Sequence, residues 1–329
     1  MFNRKYFFRV LVAALCLALC TSGAALAEPV RVAIVQPLTH TSLNQIRDTI
    51  IAELEASDIE YEIITGNAEG DSTALSTILE NIKGDGVDIM VPIATNTAQS
   101  AKVVFEETGV PVVFAAVSDP VAAGLTGDDC GFITGVSNNI PAAEIVNLIS
   151  DFQPDYKLIG FLYTSSETNS VSTINAAKAY CDANGIAYEE VSIANLSELQ
   201  TAAETLISRN VDALYTGNDN SIASAMSTYI DTAYEYGIPV YCGADSMVAD
   251  GGFATIGVDY VQLGRQVAAI VNRIAAGEQP EDIPYETLSD YARFVNLQAA
   301  ERIGMVISED ILSAYTVLVE ADGTNHFGE

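Results

Sequence analysis

The chain has 329 residues with 44 acidic against 14 basic side chains, a net charge of −30. That balance excludes nucleic acid and anionic membrane surfaces as electrostatic partners. The length, once a leader is removed, suffices for two domains with separate cores.

Residues 1–27 read as a secretory signal peptide: Arg4, Lys5 and Arg9 form a basic start, an apolar run follows, and Ala25-Leu26-Ala27 is a cleavage site. Cleavage after Ala27 predicts a periplasmic or secreted protein. Cys20 is the alternative lipid-anchor position, but in Leu17-Ala18-Leu19 before it a bulky Leu19 stands where such signals carry a small residue. No later apolar run is long enough to span a bilayer. Three cysteines remain beyond the leader, Cys130, Cys181 and Cys242, too few and too odd for a disulfide framework, although one bridge stays open. The two histidines, His40 and His326, form no zinc pattern with them, so no metal or cofactor is expected.

Strands are expected at 30–36, 61–65, 87–93 and 110–117, with helices at 43–56, 72–82 and 97–108 between them. The fourth strand closes abruptly in Ser118-Asp119-Pro120. The pattern then restarts, with strands at 158–163, 188–193, 211–215 and 239–242 and helices at 170–183, 196–209 and 221–236. The halves match in detail. Ile59-Glu60-Tyr61-Glu62 parallels Ile186-Ala187-Tyr188-Glu189, Gly109-Val110-Pro111-Val112 parallels Gly237-Ile238-Pro239-Val240, and Thr95-Asn96-Thr97 falls on Asp219-Asn220-Ser221. A helix at 261–276, a polar linker, a strand at 291–297, a short helix at 298–303 and a last strand at 315–319 complete the chain. Alternating strands and helices of this kind predict an α/β fold of two doubly wound parallel-sheet lobes.

In such sheets a ligand lies beyond the carboxyl ends of the strands. Thr95 and Asn96 precede a helix, as do Ser165, Asn169 and Ser170, and a helix start with hydroxyls suits a carboxylate. Ser118 belongs to the same edge. Asp119, Asp219 and Asp245 are acceptors at equivalent edges and would suit an ammonium. Taken singly, each of these residues reads equally well as an ordinary cap. Together they suit a zwitterion. His40, Phe114 and Tyr163 are the candidates for an aromatic ligand wall, with a core role the competing reading for Phe114 and Tyr163. Nucleotide, phosphate-loop and nucleophile-elbow motifs are absent, so no enzyme is expected. A two-thiol racemase built on Cys130 and Cys242 is the one enzymatic alternative.

With these stretches assembled, the sequence resembles the solute-binding proteins of ABC transporters, in particular the TrpX-like family. The resemblance is carried by residues 109–124 (GVPVVFAAVSDPVAAG), 134–137 (TGVS), 162–170 (LYTSSETNS), 212–220 (DALYTGNDN) and 257–265 (GVDYVQLGR). It implies a type I periplasmic-binding fold with three crossover strands, a monomer that closes on a small ligand and meets a membrane permease. The implied ligand is an aromatic amino acid: tryptophan, tyrosine or phenylalanine. A branched amino acid, a nucleoside, or delivery to a sensor are the alternatives. The implied division is lobe 1 at 28–138 plus 260–290, lobe 2 at 139–259 plus 291–320, and a frayed tail at 321–329.

Overall fold

The computed structural model describes residues 28–327, so the expected signal peptide and Cys20 lie outside the described residues. Strand β1 (Val30–Gln36) is buried on both faces: Val32 and Ile34 join one apolar cluster, Ala33 and Val35 another. A strand with both faces covered needs a helix layer on each side. β1 pairs in parallel with β2 (Tyr61–Asn67) and β3 (Ile89–Pro92). β4 (Val112–Ala115), β5 (Ile133–Ser137) and the two-residue β11 (Glu286–Thr287) extend the same sheet, in the order β11-β5-β4-β3-β1-β2.

The helix Thr41–Glu55 buries Leu43, Ile46, Ile50 and Leu54, a spacing that puts all four on one face. It packs against Tyr260–Ala275, whose Asp259 caps its start through Val261 and Gln262 N–H. The two helices approach closely at Gly264, where a Cβ would lie 2.7 Å from Thr49 Cβ. Helices Ser72–Asp85 and Thr95–Phe105 cover the opposite face of the sheet with Leu79, Ala98, Ala101 and Phe105.

The second sheet repeats the plan. β6 (Leu158–Thr164), β7 (Ala187–Ile193), β8 (Ala213–Thr216), β9 (Val240–Cys242) and β10 (Ala254–Val258) run parallel in the order β7-β6-β8-β9-β10. That is the 2-1-3-4-5 order of the first sheet again. The repeat read from the sequence is therefore a repeat of topology. β12 (Tyr291–Asn296) then joins β10 antiparallel, and β13 (Thr316–Val319) lies parallel to β12. The chain passes between the sheets after β5, after β10, and between β11 and β12.

Four details depart from expectation. Strands β5 and β10 and the helix Ala142–Phe152 were not anticipated. β5 carries Thr134, Gly135 and Ser137 rather than an apolar run; at Gly135, with φ 153°, Phe114 O occupies the space a Cβ would need, so only glycine fits. The helix expected at 221–236 is two pieces, Asn220–Ala223 and Met226–Tyr234, separated at Ser224 and Ala225. The lobe 2 sheet contains an antiparallel pair, β10 with β12. Residues 321–327 are tied down by Glu320 N–H to Thr324 O and His326 N–H to Leu318 O. No helix among the described residues is long and apolar enough to cross a membrane.

Candidate functional site

The carboxyl ends of the two sheets face each other across a cleft. From the first sheet, His40, Ser42 and Leu43 follow β1, Ala94 and Thr95 follow β3, Ala116 and Ser118 follow β4, and Asn138 follows β5. From the second, Asn169 follows β6, Asn218 to Asn220 follow β8, Ala244 and Met247 follow β9, and Tyr260 follows β10. The empty space between them is about 390 Å³, its mouth open to solvent included.

The lobes are closed over this space. His40 Nε2 lies 3.1 Å from Asn220 Oδ1, and the Ser42 and Ser246 hydroxyls are 2.5 Å apart. Nearer the rim, Ser172 donates to Asp119 at 2.6 Å, Thr168 to Gln99 at 3.2 Å, and Asn96 to Ser166 O at 3.4 Å.

Of the eight buried side-chain polar atoms without a partner among the described residues, three belong to residues that line the cleft: His40 Nδ1, Thr95 Oγ1 and Asn169 Oδ1. Buried polar atoms in folded proteins are almost always paired, so three orphans around one space mark it as built for a guest. Thr95 opens the helix Thr95–Phe105, whose N-cap is Ala94 with no side-chain cap. The first turn's N–H groups are therefore unclaimed. Ala94 at φ 71° and Ala116 at φ 57° bend the backbone at the ends of β3 and β4, conformations that alanine rarely adopts and that cluster at binding sites.

The equivalent helix start in the second sheet is occupied by protein. Glu167 accepts from Asn220 and Ser221 N–H at 2.9 and 2.8 Å, from both their side chains, and from Asn169 Nδ2 at 3.2 Å. Asp219 caps the same turn through Ile222 N–H and also accepts from the Thr164 N–H and hydroxyl. Burial, reinforced by the neighbouring Glu167 charge, raises the Asp219 carboxyl well above the usual carboxylate range. The caps place Ala94, not Thr95, opposite Asp219, a one-residue shift from the repeat as aligned by sequence.

Of the residues singled out in sequence, the structure gathers His40, Thr95, Ser118, Asn169 and Asp219 around the cleft. Ser118 donates to Asn138 Oδ1 at 3.1 Å. Ser170 is fully buried beside Asp219, behind the cleft surface. Asn96 and Asp119 bridge the lobes at the rim. Asp245 starts the helix Asp245–Ala249, and burial pushes its carboxyl up to about 6. Ser165 is exposed and donates to Ile193 O. Phe114 is a core residue whose ring is tilted against Tyr285 with centroids 6.1 Å apart, and Tyr163 donates to Glu190. The apolar wall is made instead by Leu43, Ala223, Met247 and Tyr260. Asn138 and Tyr260 went unnoticed because β5 and β10, the strands that deliver them, were not read as strands; Glu167 was hidden among the donors of SSETNS.

Cys130, Cys181 and Cys242 are free and buried, and none lines the cleft, which removes the thiol pair a racemase needs. Among the described residues no group of three or more His, Cys, Asp or Glu is placed to hold a metal ion.

A family model described as ABC transporter substrate binding protein matches residues 31–318. A tyrosine-binding protein of Clostridioides difficile (strain R20291) is 28% identical over 281 residues, 83% of this chain and 81% of the relative. The crystal structure of an ABC domain in complex with L-Trp from Streptococcus pneumonia is 31% identical with a TM-score of 0.81, covering 87% of this chain and 99% of that one. The ligand-free, open structure of a substrate-binding protein with adhesive properties from Clostridium difficile is 29% identical, covers 87% and 98%, and has a TM-score of 0.66. At almost equal identity the L-Trp complex superposes better than the open form, in keeping with the bonds that close the cleft here.

Proposed function

The chain belongs to the ABC transporter substrate-binding proteins, a family of binding proteins rather than enzymes, and from that premise we propose that it captures an aromatic amino acid for import. The observation that carries this reading is the trio of sealed, unpartnered atoms His40 Nδ1, Thr95 Oγ1 and Asn169 Oδ1 around one closed cleft.

The ligand carboxylate lies at the open start of the helix Thr95–Phe105, accepting from the first-turn N–H groups and the Thr95 hydroxyl. The second sheet supplies the precedent, since Glu167 sits on the corresponding helix start there. The ammonium donates to Asn169 Oδ1, whose Nδ2 is committed to Asn218 O and Glu167, so the oxygen is the end turned to the cleft. Asp219 is committed to the Thr164 and Ile222 donors and positions this wall of the cleft rather than offering a free lone pair. The aromatic ring lies against Leu43, Met247 and Tyr260. Among the other residues singled out, Ser118, Ser170 and Asp245 support this cleft, while Asn96 and Asp119 hold its rim.

The mechanism is hinge closure. Lobe 1 is assigned 28–138 plus 260–290 and lobe 2 is assigned 139–259 plus 291–320; the membership of β11 and β12 in different sheets supports that division. Ligand bound to one lobe draws the other over it, and a membrane permease takes the closed monomer as its signal. The protein works outside the cytoplasm, exported by its leader and released after Ala27. A thermal-shift screen of amino acids, nucleosides and sugars tests this reading, because a ligand that binds the folded state raises the melting temperature. Stabilisation confined to aromatic amino acids supports it; stabilisation by a sugar or nucleoside alone replaces it.

A further inference from the structure

The third orphan, His40 Nδ1, has its chemistry set by a relay across the cleft. Glu167 accepts from five donors, so its oxygens face hydrogens throughout. Asn220 therefore turns its Nδ2 to Glu167 Oε2, at 2.8 Å, and its amide oxygen the other way. That oxygen lies 3.1 Å from His40 Nε2 and can do nothing but accept, so Nε2 carries the ring proton. Burial holds the imidazole below its usual basicity, against the smaller opposing effects of Asn220 and Glu167, and a second proton is disfavoured. Nδ1 is then a bare lone pair, sealed and without a partner.

Such an atom demands a donor from whatever fills the cleft. It is a poor place for the ligand's ammonium, which belongs beside the carboxylates, where Asn169 is bonded to Glu167 directly. His40 is instead three residues from Leu43, a residue of the apolar wall, and both line the cleft. We propose that His40 Nδ1 reads a hydrogen-bond donor on the ligand's side chain, so that the cleft accepts the phenol of tyrosine or the indole of tryptophan and rejects phenylalanine. This deepens the reading of the cleft as an aromatic amino acid site and rests on it.

The reader exists only when the lobes are shut. His40 follows β1 of the first sheet and Asn220 follows β8 of the second, so opening removes the amide oxygen that keeps the proton on Nε2. The free ring then exchanges tautomers and loses its defined acceptor. Side-chain identity is thus tested at closure, after the carboxylate and ammonium have engaged. A phenylalanine that enters the open cleft leaves Nδ1 desolvated and unpaired on closing, and sites built around such a bond reject the ligand lacking it far more strongly than a missing methylene is rejected.

Calorimetric titration of the whole secreted chain with L-tyrosine, L-tryptophan and L-phenylalanine tests the proposal. The expected result is a preference of at least ~100-fold for tyrosine or tryptophan over phenylalanine. His40→Phe should shrink that ratio to within about fivefold, mainly by weakening the donor-bearing ligand. Nitrogen-15 histidine spectra of the wild-type complex, which do not depend on the variant folding, should show Nε2 protonated and Nδ1 bare. Equal affinity of the wild type for all three ligands overturns the proposal while leaving the aromatic amino acid reading intact. A His40→Phe variant that loses tyrosine and phenylalanine equally, or a complex with the proton on Nδ1, also overturns it. Absence of binding to all three removes the underlying reading as well.

Discussion

Ser172 donates a hydrogen bond of 2.6 Å to Asp119, and the two residues belong to opposite lobes. Asp119 is at the same time the cap of its own turn, accepting from Ala122 N–H at 2.9 Å, so its carboxylate is held in place before the lobes meet. A preset acceptor makes closure less costly, because the partner alone must be ordered. Ser172→Ala removes the bond without disturbing the turn. Ligand affinity should fall about five- to tenfold, the worth of a hydrogen bond to a charged group at a partly exposed site. Small-angle scattering of the unliganded variant should show a more open average shape than the wild type, the population shift that explains the loss.

Thr95→Val keeps the shape of the side chain and deletes the hydroxyl. With the carboxylate on the start of the helix Thr95–Phe105, affinity for an amino acid should drop about tenfold, while melting of the unliganded protein changes little. A large loss of stability without a change in affinity would reassign Thr95 to the fold.

Glu167→Gln replaces a group that accepts from five donors with one that brings two N–H groups of its own. At least one N–H would then face another across a buried space. The expected cost is about 2–4 kcal/mol, seen in chemical denaturation as an earlier unfolding midpoint at unchanged slope.

Asp245 offers a pH test. Burial, with a smaller push from Asp259, raises its carboxyl to about 6 from an ordinary 3.8, and the Ser246 N–H only partly offsets this. A carboxyl raised on folding binds its proton more tightly in the native state. Its contribution is therefore fully present below the ordinary value and is lost as pH rises through about 6. Asp245→Asn carries no such charge. The unliganded variant should melt roughly 2–4 °C above the wild type at pH 8 and at the same temperature near pH 3.5. An equal difference at both pH values would mean that the substitution acts through packing.

The architecture was legible because duplication wrote it twice. Apolar runs such as VRVAIVQ and LIGFLYT, each followed by a helical period, become β1 and β6 at the same place in two sheets of one order. The first halves of the cleft were legible for the same reason: Thr95, Ser118, Asn169 and Asp219 stand where strands stop. β5 and β10 were missed because ITGVS and ATIGV mix glycine and hydroxyls into short, fully buried strands, where burial comes from neighbours rather than from a run of apolar residues. With them went Asn138 and Tyr260. Side-chain direction lay beyond reach for a different reason. Phe114 and Tyr163 sit on strands that reach the cleft, but alternation along a strand turns Phe114 into the core and Tyr163 toward Glu190. Nor does sequence separate a donor spent on a cap from one left open. Ser165 and Thr95 look alike as residues, yet Ser165 bonds to Ile193 O while the Thr95 hydroxyl has no partner.

The central claim is that both charged ends of an amino acid are held at once inside the closed cleft. It is tested most directly by titrating the protein with L-tyrosine, with 3-(4-hydroxyphenyl)propionate, which lacks the ammonium, and with tyramine, which lacks the carboxylate. The account predicts micromolar or tighter binding of L-tyrosine and a loss of at least ~100-fold for each truncated compound, since each leaves buried partners unpaired. Equal binding of all three, or none of L-tyrosine alongside tight binding of an uncharged solute, would contradict it.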